Sequence, residues 1–168
     1  HALRDVRGKR ALEGHLYVCY EWQHVLQAKG SRHLLWIVGG ISEWIDNAYV
    51  RQKEALGLGH AVLRAKELVG PEPFAVILSD DVIDSEIPAV RQLLDVYEFY
   101  GASVVALMEV EGEAISSYGA VDAEPVSHNG GKGRLFRIRK MVEKPQAYEA
   151  PSNMAIIGWY VLTPDMFQ

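Results

Sequence analysis

Two consecutive carboxylates, Asp80 and Asp81, stand just after an unbroken apolar run at residues 74–78. Five apolar residues in a row predict a short strand buried on both faces, as in a parallel sheet covered by helices. Ligands of open α/β sheets bind beyond the carboxyl ends of the strands, so we expect Asp80 to face a bound substrate or a metal ion. In the alternative, which stays open at this point, the two acids begin a polar turn and cap the next helix.

A second candidate feature is a glycine-containing loop at residues 53–60, between a predicted strand at 48–52 and a predicted helix. Gly57 and Gly59 would let a ligand approach the backbone closely and would expose N–H groups at the positive end of that helix. Such a turn suits a phosphate group or the edge of a nucleobase. An ordinary glycine-containing turn would have the same sequence, and both interpretations are kept.

The helix that this loop opens has the clearest apolar periodicity in the chain. Its apolar face carries Leu58, Ala61, Val62, Ala65, Leu68 and Val69. This spacing predicts one helix over residues 58–69 that packs against the sheet, with Gly70 at the C-cap position.

The central part of the chain alternates strand and helix patterns. A helix is predicted between Pro88 and Gly101, and a nearly continuous apolar strand follows at residues 103–110. Because strand, helix, strand, helix and strand now follow each other along the chain, we predict an α/β protein with a parallel sheet.

An antiparallel excursion is predicted next. Extended segments at residues 118–121 and 135–142 flank a glycine-rich turn at 127–133, and an acid, a base and a proline end the second segment. A strand at residues 155–162 follows, and Pro164 is expected to begin a last helix.

The amino-terminal part is less regular. Helical patterns are predicted at residues 9–29 and 34–45, the second weakened by Gly39 and Gly40, each of which costs a helix about 1 kcal/mol. Three possible metal ligands in this part are His15, Cys19 and His24. No second Cys or His pair completes a site at ligand spacing, so we predict no zinc site.

Composition narrows the class of protein. A length of 168 residues fits one domain, and a net charge of −5 without a long basic run argues against binding to nucleic acid. No apolar segment approaches the roughly 18 residues of a membrane-spanning helix. A lone cysteine forms no internal disulfide, so we expect a cytoplasmic protein. Because the chain opens at His1 and stops at Gln168 inside a predicted helix, we also expect a fragment.

Five sequence motifs occur in a specific order, at residues 49–62, 76–81, 117–119, 142–145 and 150–158. Together they resemble the bacterial UTP–glucose-1-phosphate uridylyltransferase family, also called UDP-glucose pyrophosphorylases. The resemblance implies a Rossmann-like nucleotide-diphospho-sugar transferase fold, α/β with a mostly parallel sheet and an antiparallel insertion, incomplete at both ends. It also implies a single, partial nucleotidyltransferase domain over residues 1–168, in which residues 1–45 form a poorly matching helical region.

The resemblance implies roles for six residues. Gln52 and Gly57 match positions that read the uracil ring, and Asp80 matches a magnesium ligand. Gly119 matches a backbone contact near the sugar. Glu143 and Lys144 match the residues that hold the glucose hydroxyls and the sugar phosphate. The implied partners are UTP and glucose 1-phosphate, which give UDP-glucose and pyrophosphate with Mg²⁺ as cofactor.

The residue types suit this chemistry. Nucleotidyl transfer needs two anions to be positioned and their charge to be neutralised, and it needs no protein nucleophile. A carboxylate accepts hydrogen bonds from hydroxyls, and a glutamine amide offers a donor and an acceptor to an edge of uracil. For Glu143 and Lys144 the alternative is an ordinary exposed ion pair.

The chain also departs from the family pattern. No Gly-x-Gly-Thr-Arg loop for the triphosphate precedes Tyr49, and the aspartate that completes the metal site would lie beyond Gln168. Ser79 stands where glycine or proline is expected, and Trp159 where arginine is usual. The family is more polar at Gly14, Trp22, Trp36 and Gly39. We therefore expect the isolated chain to make no measurable UDP-glucose and to be marginally stable or self-associating.

Two alternatives to the uridylyltransferase are kept. One is a glucose-1-phosphate thymidylyltransferase-type enzyme. Gln52 and residues 56–60 favour the uridine enzyme over this alternative. The other is a truncated, non-catalytic paralogue that acts as a binding module. Exposed tryptophans near the amino end would suggest a covered surface, and hence a possible homo-oligomer.

Overall fold

The structure, a computed structural model, describes residues 2–4, 20–36, 47–127 and 134–168. It divides into two compact units, one of His1–Gly70 with Phe167 and the other of Pro71–Met166 with Gln168. The single domain over residues 1–168 stays a prediction. Within the described ranges, no helix is long and apolar enough to cross a membrane.

The first unit contains a short parallel pair of strands and several helices. Strand β1 (Ala2–Arg4) pairs with β2 (Asn47–Tyr49), with Leu3 opposite Ala48. Helix α1 (Tyr20–Ala28) is followed by a helical stretch at residues 32–36. Helices α2 (Leu58–Arg64) and α3 (Lys66–Val69) end the unit.

Two predictions for this unit are confirmed in part. The helical pattern at residues 9–29 is confirmed over Tyr20–Ala28, and the strand predicted at 48–52 forms as the shorter β2. Residues 5–19 and 37–46 lie outside the described residues, and with them His15 and Cys19, for which no zinc site was predicted, and the glycine pair. Trp36 is 76% exposed, in agreement with the expected exposed tryptophans near the amino end.

The continuous helix predicted over residues 58–69 is wrong. The helix is interrupted at Ala65. The N–H of Ala65 donates to the carbonyl of Val62 at 2.9 Å, and this tightened last turn ends α2. Of the predicted apolar face only Val62 is buried, whereas Leu58 and Leu68 are 39% and 50% exposed. Helical spacing therefore predicted where helix would form, but not how much of its apolar face would be covered. Gly70 is the C-cap residue, as predicted, with φ 69°.

The second unit is organised around a five-stranded sheet. Its strands are β3 (Phe74–Ile77), β4 (Val104–Glu109), β5 (Gly119–Pro125), β6 (Phe136–Glu143) and β7 (Met154–Leu162). Strand β7, the longest, pairs with β4 along one edge and with β3 and β5 along the other, and β6 pairs with β5. The antiparallel excursion predicted from the sequence is confirmed as the β5–β6 pair.

The mostly parallel sheet is corrected by these pairings. Every strand pairing described in the second unit is antiparallel, and β3 runs antiparallel to β7 with Val76 opposite Tyr160. Within β3, Phe74 and Val76 are half-buried, whereas Ala75 and Ile77 are exposed, so burial on both faces is also wrong for the described structure. An apolar run of this length shows that a strand forms, but its covering and its partner depend on residues far away in sequence.

The remaining elements agree with the sequence. Helix α4 (Ala89–Tyr100) begins after Pro88 and ends at Gly101, which is left-handed with φ 63°. The last predicted helix forms as a 3₁₀ turn at Pro164–Phe167, and further 3₁₀ turns lie at Gly112–Ser117 and Ala147–Glu149.

A small buried cluster supports the strand ends on which the predicted sugar-binding residues lie. It consists of Val110, Ile115, Ala120 and Ala155. Ala120 is fully buried next to Gly119, and Tyr118 packs against the cluster. The backbone that carries Gly119 is therefore held from below by close-packed apolar side chains.

Candidate functional site

The first group of candidate residues lies in the segment after β2 together with the first turn of α2, called here the 52–60 loop. Gln52 is buried, with 7% of its surface exposed. Its amide nitrogen Nε2 donates to the carbonyl of Gly57 at 3.2 Å and lies 2.7 Å from Nδ1 of His60. The structure thus brings together the two residues predicted to read the uracil ring, and it adds His60, which the sequence included in the motif at residues 56–60 without assigning it a role of its own.

Gly57 has a backbone conformation that only glycine adopts easily. Its φ of 88° and ψ of 177° lie in a region that is strained for residues with a Cβ atom. A Cβ added there would meet nothing within 4 Å, so the requirement comes from the backbone and not from crowding. The carbonyl of Gly57 also accepts from Ala61 N–H at 3.2 Å and so begins α2. Gly59 shows no comparable need for glycine.

The two acids after β3 have different surroundings. Asp81 is half-buried, and its Oδ2 accepts a hydrogen bond of 2.5 Å from Gly158 N–H on β7. The indole nitrogen of Trp159 donates to the Asp81 carbonyl at 2.8 Å. Asp81 therefore ties the end of β3 to the central strand, and Trp159, which stands where the family usually has arginine, supports that tie.

Asp80 is exposed at the same strand end. No hydrogen bond or ion pair from another described residue reaches its carboxylate. The predicted polar turn is present, since Asp81 N–H donates to Leu78 C=O at 3.3 Å, but neither acid caps α4, whose N-cap is Pro88 without a side-chain bond. The capping alternative is therefore wrong, and Asp80 is left as a carboxylate that can bind a ligand.

The fit of this strand end to Mg²⁺ can be judged from its donors. In the described ranges no group of three or more His, Cys, Asp or Glu side chains could hold a metal ion. Magnesium commonly keeps several waters and binds one or two carboxylates together with substrate phosphates. A single free carboxylate at Asp80 fits that kind of site and does not fit a closed, all-protein one.

The second group of candidate residues lies where β6 ends, at residues 143–145, called here the 143–145 corner. Glu143 pairs with Gly119 across the β5–β6 ladder. A Cβ on Gly119 would lie 3.3 Å from Glu143 Oε2 and 3.5 Å from Cδ1 of Ile156. The Glu143 carboxylate therefore lies close over the Gly119 backbone, and these two predicted residues are together.

Lys144 is the one non-glycine residue with positive φ in the described part of the chain, at 44°. Its N–H donates to the carbonyl of Tyr118 at 3.0 Å, and the following Pro145 is buried. A non-glycine residue in such a region costs about 1–3 kcal/mol, and residues of this kind cluster at functional sites. Glu143 and Lys144 are both exposed and form no salt bridge with each other in the described structure. The alternative interpretation of these two residues as an ordinary exposed ion pair is therefore wrong.

Tyr160 is a further polar group that sequence reasoning missed, because it reads as one more large residue in an apolar strand. Burial raises the pKa of its phenol above the usual value, and the negative charges of Asp81 and Glu143 raise the pKa further. Tyr160 therefore keeps its proton and is available as a hydrogen-bond donor in the neighbourhood of two carboxylates.

Comparison with known proteins agrees with these features. The family model for nucleotidyl transferases matches residues 19–168. A UTP–glucose-1-phosphate uridylyltransferase of Bacillus subtilis, YngB, is 43% identical over 161 residues, which are 96% of this chain and 52% of the relative.

Two solved structures are also similar. A UDP-glucose pyrophosphorylase in complex with UDP-glucose is 40% identical, with a TM-score of 0.77 over 96% of this chain and 57% of the other. The UTP-bound enzyme of Acinetobacter baumannii is 32% identical, with a TM-score of 0.79 over 94% and 55%. The chain spans about half the length of these relatives. From the family match and the geometry of its strand ends, we conclude that the chain belongs to the nucleotidyl transferase family.

Proposed function

We propose that the protein to which this chain contributes transfers a uridylyl group from UTP to glucose 1-phosphate, giving UDP-glucose and pyrophosphate. The observation that carries the proposal is the 143–145 corner, where a free carboxylate over Gly119 stands beside a lysine held at positive φ. A carboxylate suits sugar hydroxyls and an ammonium group suits a sugar phosphate, so the pair matches the two ends of glucose 1-phosphate.

In this reaction a phosphate oxygen of glucose 1-phosphate forms a bond to the α-phosphorus of UTP. The bond from that phosphorus to the bridging oxygen of the β-phosphate breaks, and pyrophosphate leaves with its electron pair. Glu143 would orient the sugar by accepting from its hydroxyls. Lys144 would hold the attacking phosphate and reduce the repulsion between two anions. Mg²⁺, bound with Asp80 as ligand, would supply positive charge to the nucleotide phosphates.

Two further expectations belong to this proposal. Thymidine nucleotides present the same imide N–H as uridine nucleotides, so dTTP is the nucleotide to compare with UTP. A cytoplasmic location is supported by the lone cysteine in the chain.

A chimera tests the proposal, with this chain replacing the segment of the Bacillus subtilis relative that it matches. We expect pyrophosphate release that requires UTP, glucose 1-phosphate and Mg²⁺ together. Asp80→Asn should lower kcat by about 10²-fold, because a neutral amide is a poor ligand for Mg²⁺ and a lost charge contact costs a factor of this order. Asp81→Asn is the matched control, since its amide oxygen can still accept from Gly158 N–H. Near-normal turnover of Asp80→Asn at saturating Mg²⁺ would remove Asp80 from the site.

Lys144→Ala tests the sugar-phosphate contact in the same chimera. We expect its KM for glucose 1-phosphate to rise more than its KM for UTP, because the lost charge is assigned to the sugar phosphate. Lys140→Ala, at an exposed lysine of β6, is the control. Equal rises for both substrates would contradict the assignment. If the folded chimera binds UDP-glucose but releases no pyrophosphate, the binding-module alternative is correct.

A further inference from the structure

The amide orientation of Gln52 can be deduced from its two contacts. Its terminal group lies 3.2 Å from the carbonyl oxygen of Gly57, which can only accept hydrogen bonds. If the amide were turned over, two carbonyl oxygens would face each other at that distance and repel. The NH₂ group therefore points at Gly57, and Oε1 points away from it.

This orientation decides the state of His60. The same NH₂ group lies 2.7 Å from Nδ1 of His60, and an amide nitrogen donates but does not accept. Nδ1 must therefore accept, which requires a neutral imidazole ring with its proton on Nε2. Both amide hydrogens of Gln52 are then used, one by Gly57 and one by His60.

Only the carbonyl oxygen of the amide is left for a ligand. No donor from another described residue reaches Oε1 of Gln52. This differs from the expectation from sequence that the amide offers a donor and an acceptor together. Since Gln52 is buried, its amide has little freedom to turn, and a ligand meets a fixed acceptor.

We propose that His60 is a positioning residue that, as the neutral Nε2–H tautomer, holds the Gln52 amide so that only Oε1 faces the nucleobase. This inference rests on the proposed function, in which Gln52 meets the base of UTP. Uracil and thymine carry a proton on N3 and can donate to Oε1, whereas N3 of cytosine is a lone pair that Oε1 repels. The contact thus selects an imide base and does not distinguish uracil from thymine.

The tautomer is tested directly on the chimera described above. In ¹⁵N-labelled protein, the ring nitrogens of His60 should show a proton on Nε2 and none on Nδ1. A proton found on Nδ1 of His60 would overturn the proposal whether or not the chain binds UTP.

The consequence for the base is tested kinetically in the chimera described above. His60→Phe removes the acceptor and keeps an aromatic ring, and it should raise the KM for UTP about tenfold, the weight of one net hydrogen bond. The ratio of kcat/KM for UTP over CTP should fall, because the Gly57 carbonyl alone then opposes the turned orientation, in which the amide offers NH₂ to cytosine. His60→Asn, whose Oδ1 can replace Nδ1 as acceptor, should restore both values to within about threefold of the wild type.

Matched measurements separate a positioning role from a loss of structure. The KM for glucose 1-phosphate should stay unchanged in His60→Phe, and dTTP should lose as much as UTP. His24→Phe, at an exposed histidine of α1, should change none of these values. An unchanged KM for UTP and an unchanged UTP-to-CTP ratio in His60→Phe would overturn the inference, whereas a wild-type chimera without UTP turnover would instead overturn the proposed function.

Discussion

The 52–60 loop and the 143–145 corner both place polar side chains after the end of a strand, but different interactions hold them. In the loop, Gln52 bonds to residues five and eight positions further along the chain, and the residue at positive φ is a glycine. In the corner, Glu143 and Lys144 are held by the β5 strand end some 25 residues earlier, and the residue at positive φ is a lysine.

The two regions differ in what maintains the backbone conformation of the residue at positive φ. Glycine takes a φ of 88° with little cost, so the loop can adopt its conformation from local bonds. Lysine at φ 44° is held there by the ladder between β5 and β6, by the Tyr118 carbonyl and by the buried proline after it. The corner should therefore depend on the integrity of the sheet, and the loop on its own few residues.

Gly158→Ala should have the largest effect, and it acts on the sheet. A Cβ at this buried position would lie 2.6 Å from Cβ and 2.8 Å from Cγ of Leu78 and would also collide with the Asp81 carboxylate. Overpacking of this kind, with loss of the Asp81 hydrogen bond, should lower the free energy of unfolding by about 3 kcal/mol. Urea denaturation measures it. Gly59→Ala, with open space around its Cβ, is the control and should stay within about 0.5 kcal/mol of the wild type.

Gly57→Ala tests the loop. The added Cβ meets no atom within 4 Å, so the cost is that of forcing alanine into a conformation suited to glycine, about 2 kcal/mol. We expect the strain to be relieved locally, with a lost Gln52–Gly57 contact and weaker UTP binding while binding of glucose 1-phosphate is kept. Calorimetric titration of each ligand checks this, and equal losses for both would contradict the local character of the loop.

Lys144→Gly tests the 143–145 corner by the opposite change, which places a glycine at the position of positive φ. Removing the Cβ relieves the strain of φ 44°, and the greater freedom of glycine in the unfolded chain offsets part of the gain. We expect the free energy of unfolding to rise by up to about 1 kcal/mol relative to Lys144→Ala. The KM for glucose 1-phosphate should rise equally in both variants. A less stable Lys144→Gly would mean that the backbone at the corner is not strained.

Tyr160→Phe should give the smallest effect, confined to alkaline pH. Because burial and two carboxylates raise the pKa of Tyr160 in the folded state, the unfolded chain ionises first as pH rises. The stability contributed by the neutral phenol is fully present below the unfolded pKa and is lost as pH rises through the folded pKa. Urea midpoints measured upward from pH 9 should fall less steeply in Tyr160→Phe. If the urea midpoints of Tyr160→Phe and the wild type fall equally steeply with pH, the pKa of Tyr160 is not raised in the folded state.

Local features of the chain were predictable from sequence. Pro88 and Gly101 bound α4 as expected, because their backbone preferences act within one or two residues. Gln52 and Gly57, which the resemblance assigned to the same base, are five residues apart and contact each other.

The orientation of the strands was not predictable in the same way. The apolar run at residues 74–78 was assigned to a parallel sheet, yet β3 pairs antiparallel with β7, about 85 residues further along the chain. The same limit applies to Asp81, whose partner is Gly158, and to the positive φ of Lys144.

The sequence by itself determined that strands and helices would form and where most of them would end, and by resemblance it indicated candidate residues for binding a nucleotide and a sugar phosphate. Only the tertiary structure decided which strand pairs with which, that Asp81 is tied to β7 while Asp80 stays free, and that His60 and Tyr160 belong beside the candidate residues. The physical reason is the distance along the chain over which each interaction acts. Backbone preference and capping act over a few residues, whereas hydrogen bonds, burial and charge act between whichever groups the folded chain brings together.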